Sequence, residues 1–196
     1  MRRVTALAFA ALVGTLRSAD VAAADDRPPR ALELSLAWGL ARMVSPSVDR
    51  SRELSASNGG LGFAGRLVVR TAVSVSPLAE VGATPLYRSD ERLATGSVIR
   101  SSLSESHVLG GLAFGRAWVR PWVAFGAYRL QVRSSLDGVT IDPISWAVGY
   151  AAGIELQLVS ASRVSIGLGA SVLLMTEAQT AAVLGGAVIA TDALRW

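Results

Sequence analysis

Cysteine and lysine are absent from the 196 residues, and histidine occurs once. Without cysteine there is no disulfide framework and no thiolate metal site. One histidine, with no His or acidic cluster at metal-ligand spacing, gives no reason to expect a metal or other cofactor. All 19 basic residues are arginine, and the formal charge of +4 is spread without a basic cluster, so nucleic acid is not an expected partner. Charged residues are few, 17% against 51% hydrophobic. Even so, no run of 18 apolar residues follows the N-terminal region, which excludes spanning helices there. The 19 glycines are dispersed, against long helices. Gly59-Gly60-Leu61-Gly62 and Gly185-Gly186 lack the strand–loop–helix context and the lysine of a phosphate loop, so nucleotide binding is discounted.

The first 24 residues read as an export signal. Arg2 and Arg3 form a charged start, Val4 to Leu16 is an apolar run, and Ala22-Ala23-Ala24 supplies an A-x-A cleavage site. Residues 25–30 would be a short leader ending in Arg27-Pro28-Pro29-Arg30, and residues 31–196 the folded domain.

From residue 31 the chain alternates with period 2, the pattern of strands with two different faces. Leu32, Leu34, Leu36, Trp38 and Leu40 oppose Glu33, Ser35, Ala37, Gly39 and Ala41. Further strands are expected over 61–75, 78–88, 104–116, 119–133, 144–158, 163–175 and about 182–196. In the second of these eight, Leu61, Phe63 and Leu67 oppose Gly62, Ala64, Arg66 and Arg70. Pro85 suits only an edge or rim position. In the 119–133 strand, Trp122, Tyr128, Leu130 and Val132 are expected on one face, with Arg129, Gln131 and Arg133 on the other. In the 144–158 strand, Trp146, Val148, Tyr150 and Ile154 oppose Gly149, Gly153 and Glu155.

Eight such strands are each long enough for the roughly 9–11 residues that a tilted strand needs to cross a bilayer. Long polar connections at 43–60 and 89–103 alternate with short ones at Ser76-Pro77, 117–118 and 160–162. The 134–143 connection carries the turn signal Asp137-Gly138. Such alternation suits a barrel with tight turns on one rim and larger loops on the other. The second face is mainly Gly, Ala and Ser. It would cover a water-exposed surface poorly, but it fits the crowded interior of a narrow barrel. The expected fold is therefore all-β, an eight-stranded antiparallel up-and-down transmembrane barrel with its large apolar residues facing lipid. The alternative is a soluble lipocalin-like barrel with those residues lining a pocket.

Three stretches resemble the small eight-stranded members of the bacterial outer-membrane β-barrel family. Pro121-Trp122-Val123-Ala124-Phe125-Gly126-Ala127-Tyr128 is similar to the family's proline, aromatic, then small-and-apolar stretch. Trp146, Gly149 and Ala152-Gly153-Ile154-Glu155 resemble its next strand, which runs from an aromatic residue through spaced glycines to a lumenal carboxylate. The chain ends on Trp196, similar to the family's aromatic C-terminal assembly signal. The resemblance implies a Gram-negative outer-membrane location, lipid as the surroundings, and a barrel assembly machinery as partner through the strand ending in Trp196. A monomer is expected. The last strand departs from the pattern, because Asp192 shares the parity of Leu194 and Trp196.

Glu33, Arg66, Arg70, Arg129, Arg133 and Glu155, with Glu80, are expected in the lumen, as charges that pair across it and fill it. The rival reading is a selective pore. Barrel-type lipid A deacylases resemble this architecture and use Ser, His and an acid. Here Glu105-Ser106-His107 are adjacent, but neighbours in a strand point to opposite faces. Glu105 and His107 share a face while Ser106 cannot join them, so no catalytic site is expected. Two functions remain. One is a structural or surface-interaction barrel with a side-chain-filled lumen. The other is a porin-like conduit or binding barrel for small solutes or hydrophobic compounds.

Overall fold

The computed structural model describes residues 31–44, 55–57, 59–71, 73–115, 118–161, 163–176 and 180–195. The export signal over 1–24, the leader over 25–30 and Trp196 lie outside these residues. Ten strands follow in order: β1 (Ala31–Met43), β2 (Ser55–Ser57), β3 (Gly60–Arg70), β4 (Val75–Arg92), β5 (Val98–Phe114), β6 (Val119–Leu136), β7 (Val139–Ile141), β8 (Ile144–Ala161), β9 (Val164–Met175) and β10 (Thr180–Arg195). Eight of them form a closed ring, β1-β3-β4-β5-β6-β8-β9-β10, with β10 pairing back antiparallel to β1. The short β2 and β7 extend β4 and β6 beyond the ring. This is the expected eight-stranded up-and-down barrel.

The starts of β1, β4, β6 and β9 and the ends of β3, β5, β8 and β10 make one rim, the turn rim. The opposite ends of the same eight strands, with the described 93–97 and 137–143 segments, make the other, the loop rim. The turn expected at Ser76-Pro77 lies earlier, because the Thr71 hydroxyl closes 71–74 by donating to the Val73 and Val75 carbonyls at 3.2 and 2.7 Å. Ser76 and Pro77 belong to β4. The polar 89–103 segment is mostly strand, since Arg88, Ser89 and Asp90 pair with Ser102, Ser101 and Arg100. Polar on both faces, this ribbon imitates a loop in sequence. Asp137 (φ 48°) and Gly138 (φ 87°) both take positive φ, the requirement of a two-residue hairpin between β6 and β7.

Bulges settle two irregularities of the sequence. Between β1 and β10 the register jumps from Leu32↔Leu194 to Glu33↔Asp192. The extra residue, Ala193, lets Asp192 turn inward while Leu194 turns outward, although the two have the same parity. Pro85 stands at a second bulge, where Leu86 is the extra residue and is fully buried.

The interior has two storeys. Toward the loop rim, Met43, Leu86, Leu130, Leu173, Met175 and Ala182 pack into an apolar plug. Toward the turn rim the interior is charged. Large interior side chains fit because glycines face them. A Cβ on Gly153 would stand 2.6 Å from the Trp122 ring, and one on Gly149 would stand 2.7 Å from the Tyr128 ring. The outer surface is apolar around most of the ring, with Leu36, Phe63, Val108, Phe125, Val148 and Ile166 exposed.

The seam between first and last strands is built on glycine: Gly39 lies opposite Gly186. A Cβ on Gly39 would collide with the Gly185 carbonyl and the Gly186 Cα, both backbone. Gly39→Val is therefore expected to cost about 1–3 kcal/mol by forcing the strands apart. Urea titration of the refolded protein checks this, with unchanged stability as the contrary result.

Candidate functional site

The charged storey draws on seven strands. β1 supplies Glu33, β3 Arg66 and Arg70, β4 Glu80, β5 Glu105 and His107, β6 Arg120, β8 Glu155 and β10 Asp192. Arg66 is central. It donates from Nε to Glu80 at 2.8 Å and from its terminal nitrogens to Glu80 and Glu155. Its guanidinium also stacks 4.0 Å from the centre of the Trp122 ring, a cation–π contact. Arg120 bridges Glu33 at 2.6 Å and Glu155 at 2.9 Å. Arg70 pairs with Asp192 and lies 3.7 Å from Glu33. The chain Glu80–Arg66–Glu155–Arg120–Glu33–Arg70–Asp192 thus alternates in sign. Alternation is what makes burial of so many charges tolerable, because each ion's desolvation is offset by neighbours on both sides.

His107 closes the other flank. Its Nδ1 lies 3.0 Å from Glu105 and its Nε2 3.3 Å from Glu80. Both ring nitrogens face carboxylates, so neither is left to serve a hydroxyl as general base. Ser106 points to the opposite face of β5. Among the described residues no group of three or more His, Cys, Asp or Glu is placed to hold a metal ion. The space left beside Arg66, Glu80, His107 and Trp122 is about 20 Å³, room for one water molecule.

Of the residues expected in the lumen, Glu33, Arg66, Arg70, Glu80 and Glu155 lie there and are linked as described. Arg129 and Arg133 do not. β6 has the inverse of the expected facing: Arg120, Trp122, Ala124, Tyr128 and Leu130 point inward, while Val123, Phe125 and Ala127 point outward. Arg133 stands at the loop rim, where it meets Asp142 at 3.1 Å. There the Gln131 amide and the Arg133 guanidinium hold the Asp142 carboxyl below its ordinary range. Trp122 and Tyr128 are therefore interior residues, while Trp146 and Tyr150 are exposed on the outer wall. The error lay in weighing bulk over smallness. Ala124 and Gly126 share the parity of Trp122, and small residues mark the crowded side of a narrow barrel. The same signal would have found Arg120, which sequence reasoning passed over. Asp192 was hidden by its bulge.

Neither a family model nor a curated protein sequence matches this chain. Its shape does match solved structures. The attachment invasion locus protein Ail of Yersinia pestis aligns at a TM-score of 0.57 and 13% identity, over 83% of this chain and 97% of that one. Ail in complex with the heparin analogue sucrose octasulfate aligns at 0.56 and 12%, with the same coverage. The outer membrane protein OprG of Pseudomonas aeruginosa aligns at 0.50 and 10%, over 85% of this chain and 99% of that one. What is shared at these identities is the fold, and this chain has the eight-stranded antiparallel barrel of the small outer-membrane proteins.

Proposed function

We propose that the protein is a bacterial outer-membrane barrel of structural or surface-interaction type, with a filled lumen that conducts nothing large. The carrying observation is the pairing of an apolar outer wall with an interior filled by charged and apolar side chains, with no more than water-sized gaps among the described residues. A water-soluble barrel would need the reverse, since large contiguous apolar surface is rarely left in water. In this reading β2, β7 and the ends of β4, β5 and β6, which reach beyond the ring on one rim, would serve as a platform for contact at the cell surface. Ail is named for attachment and invasion and is seen with a heparin analogue, which suits a surface role for a barrel of this shape. In this reading residues 1–24 are the export signal, and the strand ending at Trp196 engages the assembly machinery.

Cell fractionation with a heat-modifiability gel tests location and closure together. Planar-bilayer recording of the purified protein tests the filled lumen. Eight strands leave an interior only wide enough for side chains, and here Arg66, Trp122 and Tyr128 occupy it. No steady large conductance is expected. Long-lived large openings of the unmodified protein would favour the conduit reading instead.

A further inference from the structure

The outward face of β4, β5 and β6 changes character at one level. Toward the turn rim it presents Val81 and Ala83, then Val108, then Phe125 and Ala127. Toward the loop rim it presents Arg88 and Arg92, then Ser106, Ser104, Ser102 and Arg100, then Arg129 and Arg133. The register sets Arg88 opposite Ser102 and Ser102 opposite Arg133, so the three form one row across the sheet. Ser106 stands opposite Arg129, and Arg129 opposite the exposed Trp146. Two acids share this face, Asp90 opposite Arg100 and Asp142 bound to Arg133. Arg88, Arg92, Arg100 and Arg129 make no ion pair among the described residues. Across the barrel, Leu40, Val172 and Val183 keep the outer wall largely apolar toward the same rim, with Arg42 an isolated exposed arginine opposite Val183. The arginines are thus concentrated on β4, β5 and β6, and there they continue the apolar wall without a gap.

We propose that this face binds the phosphate-bearing headgroups of the leaflet around the loop rim, an inference that rests on the membrane reading above. A guanidinium matches a phosphate with two parallel hydrogen bonds, and the serine hydroxyls between the arginines are further donors. The height agrees. Arg129 sits where the apolar wall stops, beside a tryptophan of the kind that lines membrane interfaces. The four residues from Arg129 to Arg133 climb about 10 Å at the usual strand tilt. That spans the polar layer of roughly 5–8 Å on each side of a bilayer core.

The test uses the full folded barrel in detergent, titrated with bisphosphorylated lipid A, with the same lipid stripped of phosphate, and with inorganic phosphate. The intact lipid should bind at least about tenfold tighter than the stripped one, as charge-assisted bonds require, and inorganic phosphate should not compete at equal concentration. R88Q/R100Q/R129Q/R133Q should lose that preference, while R42Q, on the outer face of β1, should keep it. The doubles R88Q/R100Q and R129Q/R133Q serve if the quadruple variant does not fold, each weakening binding at least about threefold. Heat modifiability verifies folding of each variant. Equal binding of the stripped lipid, undiminished binding by the arginine variants, or a preference for a soluble sulfated polysaccharide would overturn the inference. Failure of the native protein to fractionate with the outer membrane would overturn it together with the membrane reading. Correct fractionation with arginine-independent binding would sink the inference alone.

Discussion

Arg66→Ala is expected to lower the folding stability by about 3–5 kcal/mol, the range for breaking a buried ion pair by removing one partner. The loss should fall at the upper end, because this residue serves two carboxylates and a ring. Without it, Glu80 keeps only His107 nearby, Glu155 keeps only Arg120, and the face of Trp122 loses its cation. The remaining buried acids would then outnumber their cations further. Glu80→Gln in the same background removes one orphaned charge and should restore part of the loss, as coupled neighbours do in double-mutant cycles. Reversible urea unfolding in lipid vesicles reads both. A loss under about 1 kcal/mol for Arg66→Ala would mean that the lumen is wet enough to hydrate the freed carboxylates, and the filled-barrel account would fall.

Leu36→Arg should cost about 2–4 kcal/mol, the penalty for an arginine on the lipid face near the bilayer midplane. Leu36 is 52% exposed on the outer wall and lies near the middle of β1. Leu194 faces outward too, at 60% exposure, but close to the turn rim. Leu194→Arg should cost only about 0–1 kcal/mol, since the penalty decays toward the interface. The contrast matters more than either value, because a plain packing defect has no reason to follow depth. Equal costs at the two positions would mean that the wall does not face hydrocarbon.

Much of the fold was legible in the sequence because a barrel strand repeats a single rule, alternation, over many residues. The first strand, the Gly62–Ala64–Arg66 face and the Gly149–Gly153–Glu155 face each announce an inside and an outside. What was illegible has local physical causes. The β6 facing was misread because Trp122 and Tyr128 are large yet interior, made possible by glycines on the neighbouring β8: the register brings Gly153 opposite Trp122, and Gly149, opposite Gly126, leaves room for the Tyr128 ring. The β4–β5 ribbon was misread as a loop because it is polar on both faces. Asp192 was obscured because one extra residue shifts parity without leaving a mark in composition. In the charged network, Glu33, Arg66 and Glu155 followed from alternation, but which charge meets which depends on pairs up to 122 residues apart, such as Arg70 with Asp192. No local pattern encodes that distance.

The two storeys of the interior also make the barrel electrically one-ended. At the loop rim the described plug residues Leu86, Leu173, Met175 and Ala182 are at most 1% accessible. At the turn rim the side chains of Arg70 and Arg120 remain 13% and 12% accessible. Field lines from the buried charges therefore leave through the turn rim and are stifled by low-dielectric packing at the other. Dissolved salt screens over about 10 Å at 0.1 M, so ions on the turn-rim side reach the network while those outside the loop rim meet an insulator. In a membrane the buried network would respond to the ionic strength of one compartment and be shielded from that of the other, whose salt reaches only the exposed arginines of the loop rim.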